Sequence, residues 1–208
     1  MFGRAVWERG VDRETGRFEI RDGRLSDAGP LAQAVYLASD GIALAMWAEM
    51  AGSGGDPWAL GRERAAREEG AFSWRNARIC ERGGEVAGVL IGYPEPKTPE
   101  PMDPEAPPVF RPLMALEAMV PGTFYINVLA TLEGHRRQGV GRALVADAAA
   151  QASGKDLSLI VAEGNAGART FYAAEGFREI ARAPVETGFG WEPDFAEWIL
   201  MRREADAA

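Results

Sequence analysis

Between Thr123 and Gly154 the chain reads TFYINVLATLEGHRRQGVGRALVADAAAQASG, and this run limits the fold more than any other. TFYINVLAT is apolar on both faces, the pattern of a central strand covered on each side. VGRALVADAAAQASG is rich in alanine, the best helix former, and closes at Gly154 where a helix commonly ends. A strand, a glycine-bearing turn and a helix in that order give an α/β arrangement in which the turn leads into a helix N-terminus. Such a turn points several unpaired backbone N–H groups and the positive end of a helix dipole at one spot, which suits an anion. Gly139 and Gly141 let the backbone approach without a Cβ in the way. The dipole contributes about 0.3–1 kcal/mol and each charge-assisted hydrogen bond about 1.5–3 kcal/mol, so useful affinity needs several amides to converge, as a pyrophosphate allows.

Two familiar phosphate motifs fail here. The dinucleotide pattern G-x-G-x-x-G breaks at Leu144, which stands in the third glycine position, and the link from Thr131 to Gln138 is too long for it. The P-loop pattern breaks because no Gly-Lys-Ser/Thr follows. What remains is R-x-x-G-x-G, from Arg136, Gly139 and Gly141, which reads either as an anion seat or as a structural turn with two glycines.

The rest of the chain continues the α/β reading. RFEIRDGR alternates Phe18 and Ile20 with polar residues and predicts a first strand. SDAGPLAQAVYLAS, with Ser26 or Asp27 to cap, then DGIALAMWAEMAG and DPWALGRERAAREEG predict three helices, the third more polar than the others. RNARICERGGEVAGVLIGYP predicts a β-hairpin turning at Gly83 and Gly84. Seven of the 13 prolines fall within residues 94–108, a loop inserted before a short helix that starts near Pro112 and stops before Pro121. LSLIVAEGN is another buried strand, NAGARTFYAAEGF a helix capped by Asn165 and closed by Gly176, and FREIAR and FAEWILMRR are two last strands.

Composition narrows the function. With 208 residues and 47% apolar content the chain supports one domain, residues 1–208, with the proline-rich insertion and a disordered C-terminal tail. Cys80 is the only cysteine and His135 the only histidine, so no internal disulfide and no ordinary His/Cys metal site can form, and no metal is expected. A net charge of −8 argues against nucleic-acid binding and fits an amine-bearing, cationic partner or simply solubility. The N-terminus MFGRAVWERGVDRETG is charged throughout and no run of 18 apolar residues exists, so neither export nor membrane insertion is expected and the cytoplasm is the expected location.

INVLATLEGHRRQGVGRAL followed by EGNAGARTFYAAEGF resembles the two signature segments of the GNAT superfamily of N-acetyltransferases. The resemblance is strong over Tyr125–Ile180, moderate over the hairpin and weak over Ile20–Val35. It implies a GNAT-like acyl-CoA N-acyltransferase fold, a mixed and mostly antiparallel sheet of about seven strands flanked by helices. It also implies acetyl-CoA as the acetyl donor. In that family the residues matching Arg136, Arg137, Gln138, Gly139, Val140, Gly141 and Arg142 form the pyrophosphate turn, and those matching Leu129, Ala130 and Thr131 pair with the pantetheine arm. Arg137 and Arg142 have a second reading as ordinary solvated charge. Glu133 departs from the family, which often has proline there, and would either repel phosphate or face the acceptor. His135 reads as a solvent-facing loop residue rather than a base.

By the same resemblance, the residue matching Asn165 contacts the cofactor and the one matching Tyr172 stands near the sulfur as a general acid. On the residues alone, Asn165 is an N-cap and Tyr172 a half-buried aromatic, with Phe171 the better core residue. The implied activity is N-acetylation of a primary amine on an unidentified small or peptide acceptor. The amine attacks the thioester directly, through a tetrahedral intermediate whose oxyanion meets a backbone N–H near Leu129; a tyrosine with an ordinary pKa of about 10 supplies the proton to the leaving thiolate. Direct transfer leaves Cys80 without a nucleophilic role, as a buried hairpin residue. Glu117 is the first candidate for the base and Asp40 the second, each with an alternative reading as surface charge. The acceptor site is expected from residues 36–75, 94–120 and the 183–194 connection with Trp191. The helix over 110–119 serves as a lid or as the contact of a homodimer. A non-catalytic acyl-CoA-binding sensor of the same fold is the alternative, and a phosphate-binding oxidoreductase is disfavoured by the failed dinucleotide pattern.

Overall fold

A computed structural model describes residues 18–99 and 101–205. The charged N-terminal segment and the end of the chain expected to be a disordered tail lie outside these residues. The chain orders its elements as β1 (Glu19–Asp22), α1 (Ala28–Ala38), α2 (Ile42–Ala51), α3 (Pro57–Ala65), β2 (Ala77–Arg82) and β3 (Glu85–Pro94), followed by α4 (Arg111–Glu117), β4 (Phe124–Thr131), α5 (Val140–Ala152), β5 (Leu157–Ala162), α6 (Ala166–Ala174), β6 (Arg178–Pro184) and β7 (Glu197–Arg203). The seven strands form one sheet in the order β1-β2-β3-β4-β5-β7-β6. Every neighbouring pair is antiparallel except β4 with β5, which α5 joins as a parallel crossover. The mixed, mostly antiparallel seven-stranded sheet is the one that the resemblance implied.

Side chains alternate across this sheet and make it the middle of three layers. Leu90, Phe124, Ile126, Leu159 and Ile199 face α5 and α6, whose Leu144, Val145, Ala148 and Tyr172 complete that core. Ile79, Val89, Ile91, Val128 and Ala130 face α1, α2 and α3 through Leu31, Val35, Ala43 and Trp47. Further along the same face, Ile160, Ala162, Trp198 and Leu200 pack against Leu116 and Val120 beside α4. Two glycines set how closely the layers approach. A Cβ on Gly88 would lie 2.5 Å from Val140 and 2.9 Å from the Ala130 carbonyl, so β3 accepts α5 only because that position is bare. A Cβ on Gly61 would lie 2.6 Å from the Trp47 ring, so α3 rides directly over that indole.

Helix ends follow local chemistry. Asp56 caps α3 by accepting the Trp58 amide at 2.9 Å, and Asn165 caps α6 by accepting the Ala168 amide at 3.1 Å. Of the two expected caps for α1, Asp27 is the one engaged, but it is drawn into an ion cluster: its carboxylate accepts the Arg24 amide at 2.7 Å and both Arg21 terminal nitrogens at 2.7 and 2.9 Å. Among the described residues no single helix is long and apolar enough to cross a membrane. Cys80 is fully buried in β2, and burial, with Asp147 and Glu81 nearby, pushes its thiol up to about 11.

The proline-rich segment is fastened rather than loose. The Glu95 amide donates to the Thr123 carbonyl at 2.8 Å, the Gly122 amide to Pro96 at 3.0 Å, and Arg111 reaches back to the carbonyl of Ala106, itself buried.

Candidate active site at the parting of two strands

Strands β4 and β5 share only two register pairs, Phe124 with Leu157 and Tyr125 with Ser158. Beyond them β4 continues to Thr131 and β5 to Ala162 with no ladder between them, so the sheet opens at its centre. The cause is local. In the β3–β4 ladder Gly92 pairs with Ile126 and Ile91 with Val128, which leaves Asn127 as the extra residue of a β-bulge. A bulge bends and twists its strand, turning the end of β4 away from β5. Gly92 permits it, because a Cβ there would lie 2.6 Å from the Phe124 ring. Leu129, Ala130 and Thr131 pair with Leu90, Val89 and Gly88 on one side and present their other edge to this opening.

The turn after β4 stands at the mouth of the opening. Gly134 (φ 89°), Arg137 (φ 60°) and Gly139 (φ 90°) all adopt left-handed backbone, folding the chain into a concave turn ahead of α5. Among the described residues, the amides of Val140, Gly141 and Arg142, in the first turn of that 13-residue helix, make no hydrogen bond. The bare positions 139 and 141 and these free donors fit a pyrophosphate. Side chains around the turn are partly committed: Gln138 bonds Arg82 and the Gly134 carbonyl, and Arg142 pairs with Glu175 at 2.9 Å. Arg136 and Arg137 are exposed. Glu133 is exposed and does not line the cavity described below. His135 is half-buried, 3.8 Å from Glu85.

On the other face of the sheet a cavity of about 350 Å³ is lined by α1, α2, α3, α4 and the bulged part of β4. Its wall is mostly apolar, with Met46, Trp47, Phe72, Phe110, Met114 and Trp198 among the larger groups. Polar groups converge where α4 meets β4. The Asn127 amide donates to the Tyr93 hydroxyl at 2.8 Å, the Tyr93 and Tyr125 rings lie 5.9 Å apart, and Tyr125 lies next to Glu117. Burial, assisted by Glu95, pushes the Glu117 carboxyl up to about 7 although Tyr125 opposes it. Burial also raises both tyrosine hydroxyls above their ordinary value.

The structure brings some expected residues together and separates others. Glu117 lies in the cavity; Asp40 does not, sitting exposed in the α1–α2 turn with its carbonyl accepting the Trp191 indole at 2.9 Å. Tyr172 lies on the opposite face of the sheet from Glu117, in the core beneath α5 and α6. The expectation that Phe171 is the deeper of the two is reversed. Tyr172 is 8% exposed and packs on Phe171 and Phe177, and burial holds its hydroxyl well above the ordinary value. Phe171 is half-buried, its ring placed 3.1 Å from where a Cβ on Gly141 would lie, so it packs beneath the glycine turn instead. Asn165 is exposed, its Oδ1 occupied by the cap.

Of the segments expected to hold the acceptor, those within 36–75 and 110–117 line the cavity, whereas 94–108 and 183–194 do not. Trp191 instead stacks on Trp198 at 6.1 Å, with 12° between the rings. Tyr93, Asn127, Tyr125 and Arg64 were not singled out from sequence. Asn127 carried a usable signal, a lone amide within an otherwise apolar central strand.

Residues 45–177 match the family model of the acetyltransferase (GNAT) family. No curated protein matches the chain in sequence. Among solved structures, the chain is similar to an N-acetyltransferase from Staphylococcus aureus Mu50, with a TM-score of 0.60 and 16% identity over 88% of this chain and 99% of that one. It is similar to a ribosomal-protein-alanine N-acetyltransferase from Brucella melitensis, with a TM-score of 0.52 and 21% identity over 89% and 99% of the two chains. A third similar structure is Naa20 of Chaetomium thermophilum in complex with a bisubstrate analogue, with a TM-score of 0.55 and 17% identity over 89% and 86%.

Proposed function

The chain belongs to the acetyltransferase (GNAT) family, and from that premise we propose that it transfers the acetyl group of acetyl-CoA to a primary amine by direct attack. The observation that carries this reading is the placement of a carboxyl group raised to about 7, Glu117, in a mostly apolar cavity on the flank of the opened β4 strand.

Acetyl-CoA, when bound, supplies an activated thioester carbonyl and a thiolate leaving group. In this reading the amides of Val140, Gly141 and Arg142 hold the pyrophosphate, and the free edge at Leu129, Ala130 and Thr131 orients the pantetheine arm through backbone pairing. Arg136, Arg137 and Gln138 flank the phosphates, and Asn165 stands at the far side through its remaining amide group. Glu117 takes a proton from the acceptor ammonium, directly or through water; a base with a pKa near the working pH combines availability with driving force. Tyr125 keeps the Glu117 carboxylate oriented. A backbone N–H near Leu129 meets the developing oxyanion. The Tyr172 hydroxyl, held protonated by burial, donates toward the leaving sulfur from the other side of the opening.

A screen of polyamines, aminoglycosides, amino acids and peptide N-termini, read by thiol release from acetyl-CoA, tests the proposal. Amine-dependent release supports it. Acetyl-CoA binding without amine-dependent release across the panel would replace it with the non-catalytic sensor.

A further inference from the structure

We propose that the acceptor is an amine that also carries a carboxylate on an apolar body, the chemistry of an apolar α-amino acid, with the carboxylate held by Arg64 and the amine directed to Glu117. This rests on the acetyl-transfer reading of the same cavity.

Arg64 lies one turn beyond Gly61 on α3, and both line the cavity. Other arginines drawn into the protein are paired: Arg21 with Asp27 and Glu81, Arg78 with Asp147, Arg111 with the Ala106 carbonyl. Among the described residues the Arg64 guanidinium has no hydrogen-bond or ion-pair partner, and its charged neighbour is another cation, Arg67. A guanidinium partly withdrawn from water without an acceptor is costly to the fold, and a carboxylate satisfies its planar fork with two parallel hydrogen bonds. Glu117 is the only carboxylate among the residues that line the cavity, and it comes from a different wall, α4. The wall therefore presents one cation and one carboxyl group among otherwise mostly apolar residues, which matches a zwitterion with an apolar side chain. A polyamine or aminoglycoside would bring several cations to a wall with one carboxylate and an unpaired arginine. At about 350 Å³ the cavity is near the lower end of the roughly 300–1,000 Å³ typical of small-molecule sites, room for one amino acid.

The test uses matched sets, each an apolar amino acid, its decarboxylated amine and its carboxamide, for leucine, methionine, phenylalanine and tyrosine. Binding to the full chain is measured by isothermal titration calorimetry, and thiol release from acetyl-CoA is measured in parallel. In at least one set the amino acid is expected to bind at least tenfold more tightly than both counterparts that lack the carboxylate, equivalent to about 1.4 kcal/mol. That ratio falls to near one in Arg64→Gln and is partly restored in Arg64→Lys. The proposal is overturned if no amino acid outbinds its decarboxylated amine, or if the advantage persists in Arg64→Gln. If Arg64→Gln does not fold, as judged by circular dichroism, the comparison within the wild-type protein still decides. Thiol release with decarboxylated amines and no carboxylate advantage removes this inference alone. A carboxylate advantage in binding with no thiol release removes acetyl transfer and leaves the binding inference standing.

Discussion

Tyr125 stands beside the Glu117 carboxyl where α4 meets β4, and both line the cavity next to the β-bulge at Asn127. Two consequences follow, one for rate and one for stability. If Glu117 is the base, kcat/KM rises with pH along a limb centred near 7, and Glu117→Gln removes that limb and lowers kcat by about 10²–10⁴. The same limb in both proteins would assign the base elsewhere.

The stability consequence has a definite sign. The carboxyl binds its proton more tightly folded than unfolded, with about 7 against an ordinary 4.5, so the folded state holds more protons between those values and stability falls as pH rises through that window. Glu117→Gln should therefore raise the Tm relative to wild type at pH 8 and give no such gain at pH 4. Scanning calorimetry at the two pH values checks this.

Gly139 carries φ 90° and Gly141 faces the Phe171 ring at 3.1 Å from an added Cβ. Valine at either position fills the turn, and at 139 it also strains the backbone. Coenzyme A affinity is expected to fall at least tenfold in each, since the loss of even one charge-assisted bond costs about 1.5–3 kcal/mol. Calorimetric titration with coenzyme A measures this, and retained affinity in both variants would remove the pyrophosphate reading.

Tyr172→Phe keeps the ring in its contacts with Phe171 and Phe177 and deletes only the hydroxyl. Turnover should drop about tenfold or more while coenzyme A affinity stays within about twofold. Unchanged kcat would end the general-acid role and leave Tyr172 as a core residue.

Arg21 is held between Asp27 and Glu81 at 2.7 and 2.6 Å with little exposure. Asp27→Asn should cost about 3 kcal/mol, because it leaves a largely buried guanidinium with half its partners. Burial works against the Asp27 charge, but the Arg21 guanidinium and the Arg24 amide outweigh it and hold the carboxyl below its ordinary value. Its contribution is thus present above the unfolded value near 3.8 and lost as pH falls through the lower folded one. Urea midpoints of wild type and variant should converge only at strongly acidic pH.

Elements were legible where a single local rule governs them. Period-two and helical patterns, Asn165 as a cap, and Gly83 and Gly84 as a turn all rest on neighbours in the chain, and the structure keeps each of them. The turn ahead of α5 was legible because Gly139 and Gly141 sit where the chain must bend from strand to helix. The cavity was not. Tyr93, Tyr125 and Arg64 come from β3, β4 and α3, and what unites them is a strand register with one extra residue at Asn127, a fact of pairing rather than of composition. Phe171 and Tyr172 were exchanged for a related reason: neighbouring helix positions differ by about 100°, and which of the two faces the sheet depends on how α6 sits against β5 and α5. Glu117 was reached from its position ahead of the central strand, yet its perturbation depends on Tyr125 and Glu95, which only the fold brings beside it.

Direct acetyl transfer is tested most plainly by mass spectrometry of both the intact protein and the amine after incubation with acetyl-CoA and an accepted amine. One acetyl group on the amine is expected for each coenzyme A released, with no mass gain on the protein. Acetyl retained on the protein, or coenzyme A released at the same rate with the amine left out, would contradict direct transfer.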